Sequence, residues 1–208
     1  MITRTLTVVT AGLSQPSSTR LLADRLAEAS ARALGEQDVH VDTEVIELRS
    51  HAKELADHLL TGFPAGGLRT AIDRVTNSDG LIAVTPIFTA SYSGLFKMFF
   101  DVLDADALAG LPVLVGATGG TARHSLALDH ALRPMFGYLR AVVVPTGVYA
   151  ASEDWGTGGG DNGLVSRIDR AAGELAGLIA GRPAARTATD PFDDPVPFSQ
   201  LLGRTEEP

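Results

Sequence analysis

The chain has no cysteine among its 208 residues. That absence excludes a disulfide scaffold, thiol catalysis, an Fe–S cluster and zinc sites built from thiolates. No segment approaches the roughly 20 consecutive apolar residues that span a bilayer, so no membrane association is expected. Met1–Thr10 holds one Arg and a short Leu/Thr/Val stretch, then runs into Gly12, Ser14 and Pro16. It reads as a first strand and not as a signal peptide, and a cytoplasmic location is expected. Positive charge is scarce: 17 Lys+Arg face 25 Asp+Glu, a net charge of −8. Phosphate-backbone attraction needs a basic face, so nucleic-acid binding is not expected.

What is present is enough apolar material for a core. Hydrophobic residues make up 45% of the chain, which argues against disorder over most of it. At about 150 residues per domain the length suggests one domain. Leu6–Thr10 is β-rich, and Thr19–Leu34 carries Leu22, Leu26, Ala29 and Ala33 at helical spacing. Val39–Leu48 alternates as a half-buried strand does. His51–Leu60 and Gly67–Val75 read as helical crossover. Leu81–Thr85 and Pro112–Ala117 are short apolar runs of the kind buried on both faces of a sheet. Helices follow at Gly94–Leu103 and Ser125–Phe136, a strand at Ala141–Val144, and a last helix at Leu164–Ala180, before Gly181 and Pro183. The alternation predicts an α/β doubly wound sheet of five parallel strands with helices on both faces. Residues 1–181 form this domain, and 182–208 are a Pro-rich tail expected to be partly mobile.

In such a sheet ligands bind beyond the carboxyl ends of the strands. Three loops leave those ends. The first, Gly12–Arg20, holds Ser14, Ser17, Ser18, Thr19 and Arg20 around Pro16. Hydroxyls and a guanidinium at a helix N-terminus suit a phosphate. Ser and Thr are also ordinary N-caps, but four hydroxyls exceed what one cap needs. The loop is neither GxxxxGK[ST] nor GxGxxG, which favours a mononucleotide held by one phosphate. The second loop, Thr85–Lys97, sets Phe88 and Tyr92 among Thr89, Ser91 and Ser93 and suits a planar heteroaromatic ring. The third, Gly116–His124, has the Gly119–Gly120 pair between Thr118 and Thr121, which lets a backbone wrap a ligand edge.

These loops resemble those of the NAD(P)H-dependent FMN reductases, a family of the flavodoxin-like superfamily. The family's phosphate loop, G-S-x-R-x-x-S-x-N/T-x-x-L, corresponds here to Gly12–Leu22, one residue shorter before Ser17 and without the mid-loop Arg. Its ring loop, P-x-Y-N-x-S-x-P-G-x-L-K-N-x-x-D, corresponds to Pro86–Asp101. Pro86, Ser91, Gly94, Lys97 and Asp101 match in register, while Phe88, Thr89 and Ser93 replace Tyr, Asn and Pro. The resemblance spans roughly residues 4–181 and favours an actinobacterial-type branch.

The resemblance implies FMN as cofactor and NADPH or NADH as hydride donor. Ser14, Pro16, Ser17, Ser18, Thr19 and Arg20 would take the phosphate. Pro86, Ile87, Phe88, Thr89, Ala90 and Ser91, with Thr118, Gly119 and Gly120, would take the isoalloxazine. No protein acid, base or nucleophile is obligatory for hydride transfer, so no catalytic residue and no metal ligand is assigned. A homodimer or homotetramer is implied, and reduced FMN would serve a partner monooxygenase. Phe96, Met98, Phe99 and Phe100 are candidates for the subunit interface, unless their helix is simply buried. Lys97 and Asp101, four apart, should form a surface ion pair. Ala151–Gly163, with Trp155, reads either as a lid or as an exposed excursion. A flavodoxin-type electron carrier and an FMN-containing quinone or azo reductase are the alternatives.

Overall fold

The computed structural model describes residues 2–155 and 163–182. The strands are β1 (Ile2–Thr10), β2 (Val39–Glu47), β3 (Gly80–Phe88), β4 (Ser91–Tyr92), β5 (Pro112–Gly119), β6 (Val142–Val143) and β7 (Val148–Ala151). The helices are α1 (Ser18–Gly35), α2 (Ala52–Thr61), α3 (Gly67–Thr76), α4 (Gly94–Asp101), α5 (Arg133–Tyr138) and α6 (Leu164–Ala180). The sheet runs β2-β1-β3-β5-β6, with β7 also on β5 and β4 turned back on β3. All pairings are parallel except β3–β4. This is the flavodoxin-like order, whose switch point lies between β1 and β3.

Side chains alternate across the strands and feed two cores. Leu6, Val8, Ile82, Val84 and Leu114 face α1 and α6. Val9, Leu81, Ala83, Val113 and Val115 face the layer that contains α4 and α5. The central strands are apolar on both faces because both faces are covered, which is why they read as continuous apolar runs.

Two expectations are corrected, and an alternative left open for α4 is decided. The single strand at Ala141–Val144 is two short ones: β6 pairs with Pro112 and Val113, and β7 with Gly116–Gly119. Pro145 has no N–H for a ladder, and the break is tied down from outside the sheet. Thr146 N and Oγ1 donate to Glu174 at 2.7 Å each, and Arg133 donates to the carbonyls of Val144 and Pro145. The helix expected over Ser125–Phe136 is a 3₁₀ turn at Ala122–His124, a π turn at Leu128–Leu132, and then α5. Finally, Phe96, Phe99 and Phe100 are buried. Phe100 packs against Phe96 and Phe136 with ring centroids 4.8 and 4.9 Å away. Their apolar excess serves the core, so they are not available to an interface. The Lys97–Asp101 pair forms as expected.

Candidate functional site

All three loops leave the carboxyl edge of the sheet, and they meet in one cleft of about 420 Å³. After β1 the chain continues to Ala11, whose N–H reaches Val84 O at 3.0 Å, before turning into α1. The Gln15–Pro16 peptide is cis. Ser17 is the N-cap of α1, and its Oγ accepts from Arg20 N at 3.2 Å. Capping of the third turn residue leaves the Ser18 and Thr19 N–H groups at the helix mouth, where an α-helix has no internal acceptor for them. Gly12 packs under this cap: a Cβ there would stand 2.1 Å from Ser17 Oγ. Leu13, Ser14, Ser17, Ser18 and Thr19 all line the cleft.

Thr19 joins the first loop to the third. Its Oγ1 lies 2.8 Å from Thr118 Oγ1, and both residues are buried. Beyond Thr118, the Gly119–Gly120 backbone forms the wall of the cleft. Gly119 admits no side chain, because a Cβ would fall 2.1 Å from Tyr149 Oη. That hydroxyl donates to Thr121 O at 2.8 Å and fixes the loop from β7. Burial, with the Asp154 carboxylate nearby, pushes the Tyr149 pKa up, so the hydroxyl remains a donor.

The second loop is a tight hairpin. Phe88 and Ser91 face each other across β3–β4, and the two residues between them, Thr89 and Ala90, have φ of 50° and 66°. A two-residue turn of this type demands positive φ twice, which Asn-Gly adopts freely and Thr-Ala does not. Such residues cost roughly 1–3 kcal/mol each and are retained where surrounding contacts over-determine them. The turn is braced from below by buried polar contacts. Ser93 N donates to Thr85 Oγ1 at 3.0 Å, and Ser93 Oγ caps α4 by accepting from Phe96 N at 3.3 Å. Pro86, Ile87 and Phe88 line the cleft, and Phe88 is 48% exposed at its rim.

Not every expected residue reaches the cleft. Pro16, Thr89 and Ala90 shape the loops without lining it, and Ser91 borders a separate groove between α4 and α5. Arg20 turns away from it. Its guanidinium donates to Asp24 at 2.7 Å and to Glu47 at 2.6 Å. The hydrogen bond to Asp24, reinforced by Glu47, raises its pKa further. In this structure Arg20 therefore clamps α1 to the end of β2. The cleft also gains residues that the motifs do not mark, Leu13 and Ser152. Trp155 forms part of its wall, half-buried, with the Arg25 guanidinium 5.0 Å from its ring centroid. The turn Ser152–Trp155 is held by Asp154, which accepts from Ala151 N at 2.7 Å and Arg167 at 3.1 Å. The rest of the expected lid, 156–162, and the tail beyond Arg182 lie outside the described residues.

Every described residue lining the cleft is uncharged. An anion there would meet backbone N–H groups, hydroxyls and the positive end of the α1 dipole, and no carboxylate among the described lining residues. A planar apolar group would meet Phe88, Ile87 and the glycine backbone. This donor set fits a flavin mononucleotide. Three grooves of larger volume, about 560 Å³ beside β1–β2, about 640 Å³ between α4 and α5 and about 460 Å³ between the end of β2 and α3, do not unite the three loops.

Fold and site together define a doubly wound, flavodoxin-like α/β protein with an anion-accepting cleft at the carboxyl edge of its sheet. Residues 5–156 match the NADPH-dependent FMN reductase family, and the chain belongs to that family of oxidoreductases. It is 38% identical over 180 residues to an FMN reductase (NADPH) of Pseudomonas aeruginosa, covering 84% of this chain and 91% of that protein. It is 36% identical over 143 residues to an NADH-dependent FMN reductase of Pseudomonas putida, covering 69% and 74%. An oxidoreductase structure from Corynebacterium diphtheriae superimposes with a TM-score of 0.84 at 49% identity, covering 88% of this chain and all of that one. Among the described residues no helix is long and apolar enough to cross a membrane.

Proposed function

We propose that the cleft seats FMN and that the family reaction, hydride transfer from NAD(P)H to FMN, takes place at its open side. The flavin supplies the redox chemistry. The chain supplies binding and orientation. Ser18 and Thr19 N–H, the hydroxyls of Ser14, Ser17 and Ser18, and the α1 dipole take the phosphate. Thr19 and Thr118, hydrogen-bonded to each other, fix the first loop against the third. Phe88, Ile87 and Pro86 bound one edge of the ring and Gly119–Gly120 the other, leaving one face for the nicotinamide. Trp155 closes the cleft on the side of α1.

The observation that carries this reading is the convergence of three separate loops on a neutral cleft at the mouth of α1. The reading extends to a homodimer or homotetramer and to delivery of reduced FMN to a partner monooxygenase. Oxidation of NADPH and NADH by the purified protein, followed by absorbance with and without added FMN, tests it. Turnover that saturates in free FMN supports a reductase that releases reduced flavin. Bound flavin without nicotinamide oxidation would point to an electron carrier instead.

A further inference from the structure

NADPH differs from NADH by one phosphate on the adenosine ribose, so choosing between them requires a cation placed to meet that phosphate. Among the described residues the cleft lining supplies none, because each of them is uncharged. The cations around the three loops are nearly all committed elsewhere. Arg20 is held by Asp24 and Glu47. Arg25 stacks on Trp155. Lys97 pairs with Asp101. Arg133 pairs with Asp129 and binds two carbonyls. Arg49 pairs with Glu47, and Arg167 with Asp154.

Arg123 is different. It is exposed and has neither a hydrogen bond nor an ion pair with any described residue. It sits in the 3₁₀ turn Ala122–His124, three residues past Gly120 of the cleft wall. Its position is defined, since Tyr149 holds Thr121 O and Ser125 N closes the turn on Ala122 O at 3.1 Å. His124, also exposed, lies next to it. We infer that Arg123, with His124 beside it, recognises the 2′-phosphate of NADPH and gives this enzyme a preference for NADPH over NADH. An unpaired guanidinium outside the flavin cleft, on the loop that forms its wall, can bind a terminal phosphate without disturbing the flavin phosphate.

The inference rests on the reductase reading above, and the test separates the two. The kcat/KM values for NADPH and NADH are measured at saturating FMN for the wild type, Arg123→Gln and the double variant Arg123→Gln/His124→Gln. Binding of 2′,5′-ADP and of 5′-AMP is measured by calorimetry on the same proteins. The wild type should favour NADPH and bind 2′,5′-ADP more tightly than 5′-AMP. Arg123→Gln should lower the NADPH/NADH ratio about tenfold, the typical worth of one charge-assisted bond, and erase the preference for 2′,5′-ADP. A wild type that prefers NADH, a ratio unmoved by the substitution, or an equal fall for both nucleotides would overturn the inference. Absence of turnover with either nucleotide would overturn the reductase reading, and the 2′,5′-ADP titration would still decide the role of Arg123.

Discussion

The two ends of the sheet treat polar groups in opposite ways. At the amino end Arg4 and Asp79 are 4% and 7% exposed and bonded to each other at 3.0 Å. The second Asp79 oxygen accepts from Thr5 N at 2.8 Å, and Arg182 donates to Asp79 O at 3.1 Å. Full charges are buried there, and each finds its partner within the chain. At the carboxyl end the described lining of the cleft carries no charge, yet hydroxyls and helix N–H groups face outward. Polarity closed on itself builds structure, whereas polarity left facing a cleft is available to a ligand.

The largest expected effect breaks the amino end. Asp79→Ala leaves the Arg4 guanidinium buried without its carboxylate and orphans Thr5 N–H. Stability should fall by about 3–5 kcal/mol, the usual consequence of removing one partner of a buried pair. Chemical denaturation measures this, while FMN affinity of the folded fraction should stay as it was. A cleft-end substitution should differ by lowering FMN affinity as well. Gly119→Ala drives a methyl into Tyr149 Oη and displaces the Gly119–Gly120 wall. About 1–3 kcal/mol of stability should be lost through overpacking, together with at least tenfold in FMN affinity by calorimetry.

A gain is expected at the hairpin. Replacing Thr89 and Ala90 by Asn and Gly supplies the residues that this turn prefers and should raise stability by about 1–2 kcal/mol. A rise in melting temperature would confirm that the wild-type turn is strained, and an unchanged one would refute it. The smallest effect is expected from Arg20→Gln. Its partners are half-exposed, so stability should change by no more than about 1 kcal/mol. FMN affinity should change less than about threefold, because the guanidinium points at Asp24 and Glu47.

The amino-acid pattern made much of this legible. The apolar runs at β3 and β5 and the helical spacing of α1 and α6 are local signals, and those elements fall within a few residues of their expected bounds. Ser17, Ser18 and Thr19 could be placed at the mouth of α1 because a Ser/Thr cluster between a strand and an amphipathic helix has a local meaning. What was not legible depends on partners far away in the chain. Arg20 seemed free for a phosphate until Glu47, from the end of β2, was brought against it. The three phenylalanines of α4 seemed too apolar for one layer until Phe136 packed on two of them, Phe96 and Phe100. The interruption between β6 and β7 required the contact of Glu174 with Thr146. The Thr89–Ala90 turn lacks the Asn or Gly that normally announces such a hairpin, and its strain appears only in the backbone angles. Leu13 and Ser152 lay in segments already marked as a ligand loop and a possible lid, but their own residue types carried no signal, since their role comes from where the loops meet.

The most direct test of the account is the affinity of FMN against riboflavin, which lacks the phosphate. Trp155 is the one tryptophan of the chain and part of the cleft wall, so its fluorescence reports binding of either flavin. The wild type should bind FMN much more tightly than riboflavin. Alanine at Ser14 and Ser18 together, two cleft hydroxyls with no structural bond to lose, should weaken FMN binding by about 1–3 kcal/mol per charge-assisted bond and leave riboflavin binding nearly unchanged. Equal loss for both flavins, or FMN bound as tightly as before, would contradict the claim that the mouth of α1 holds the phosphate.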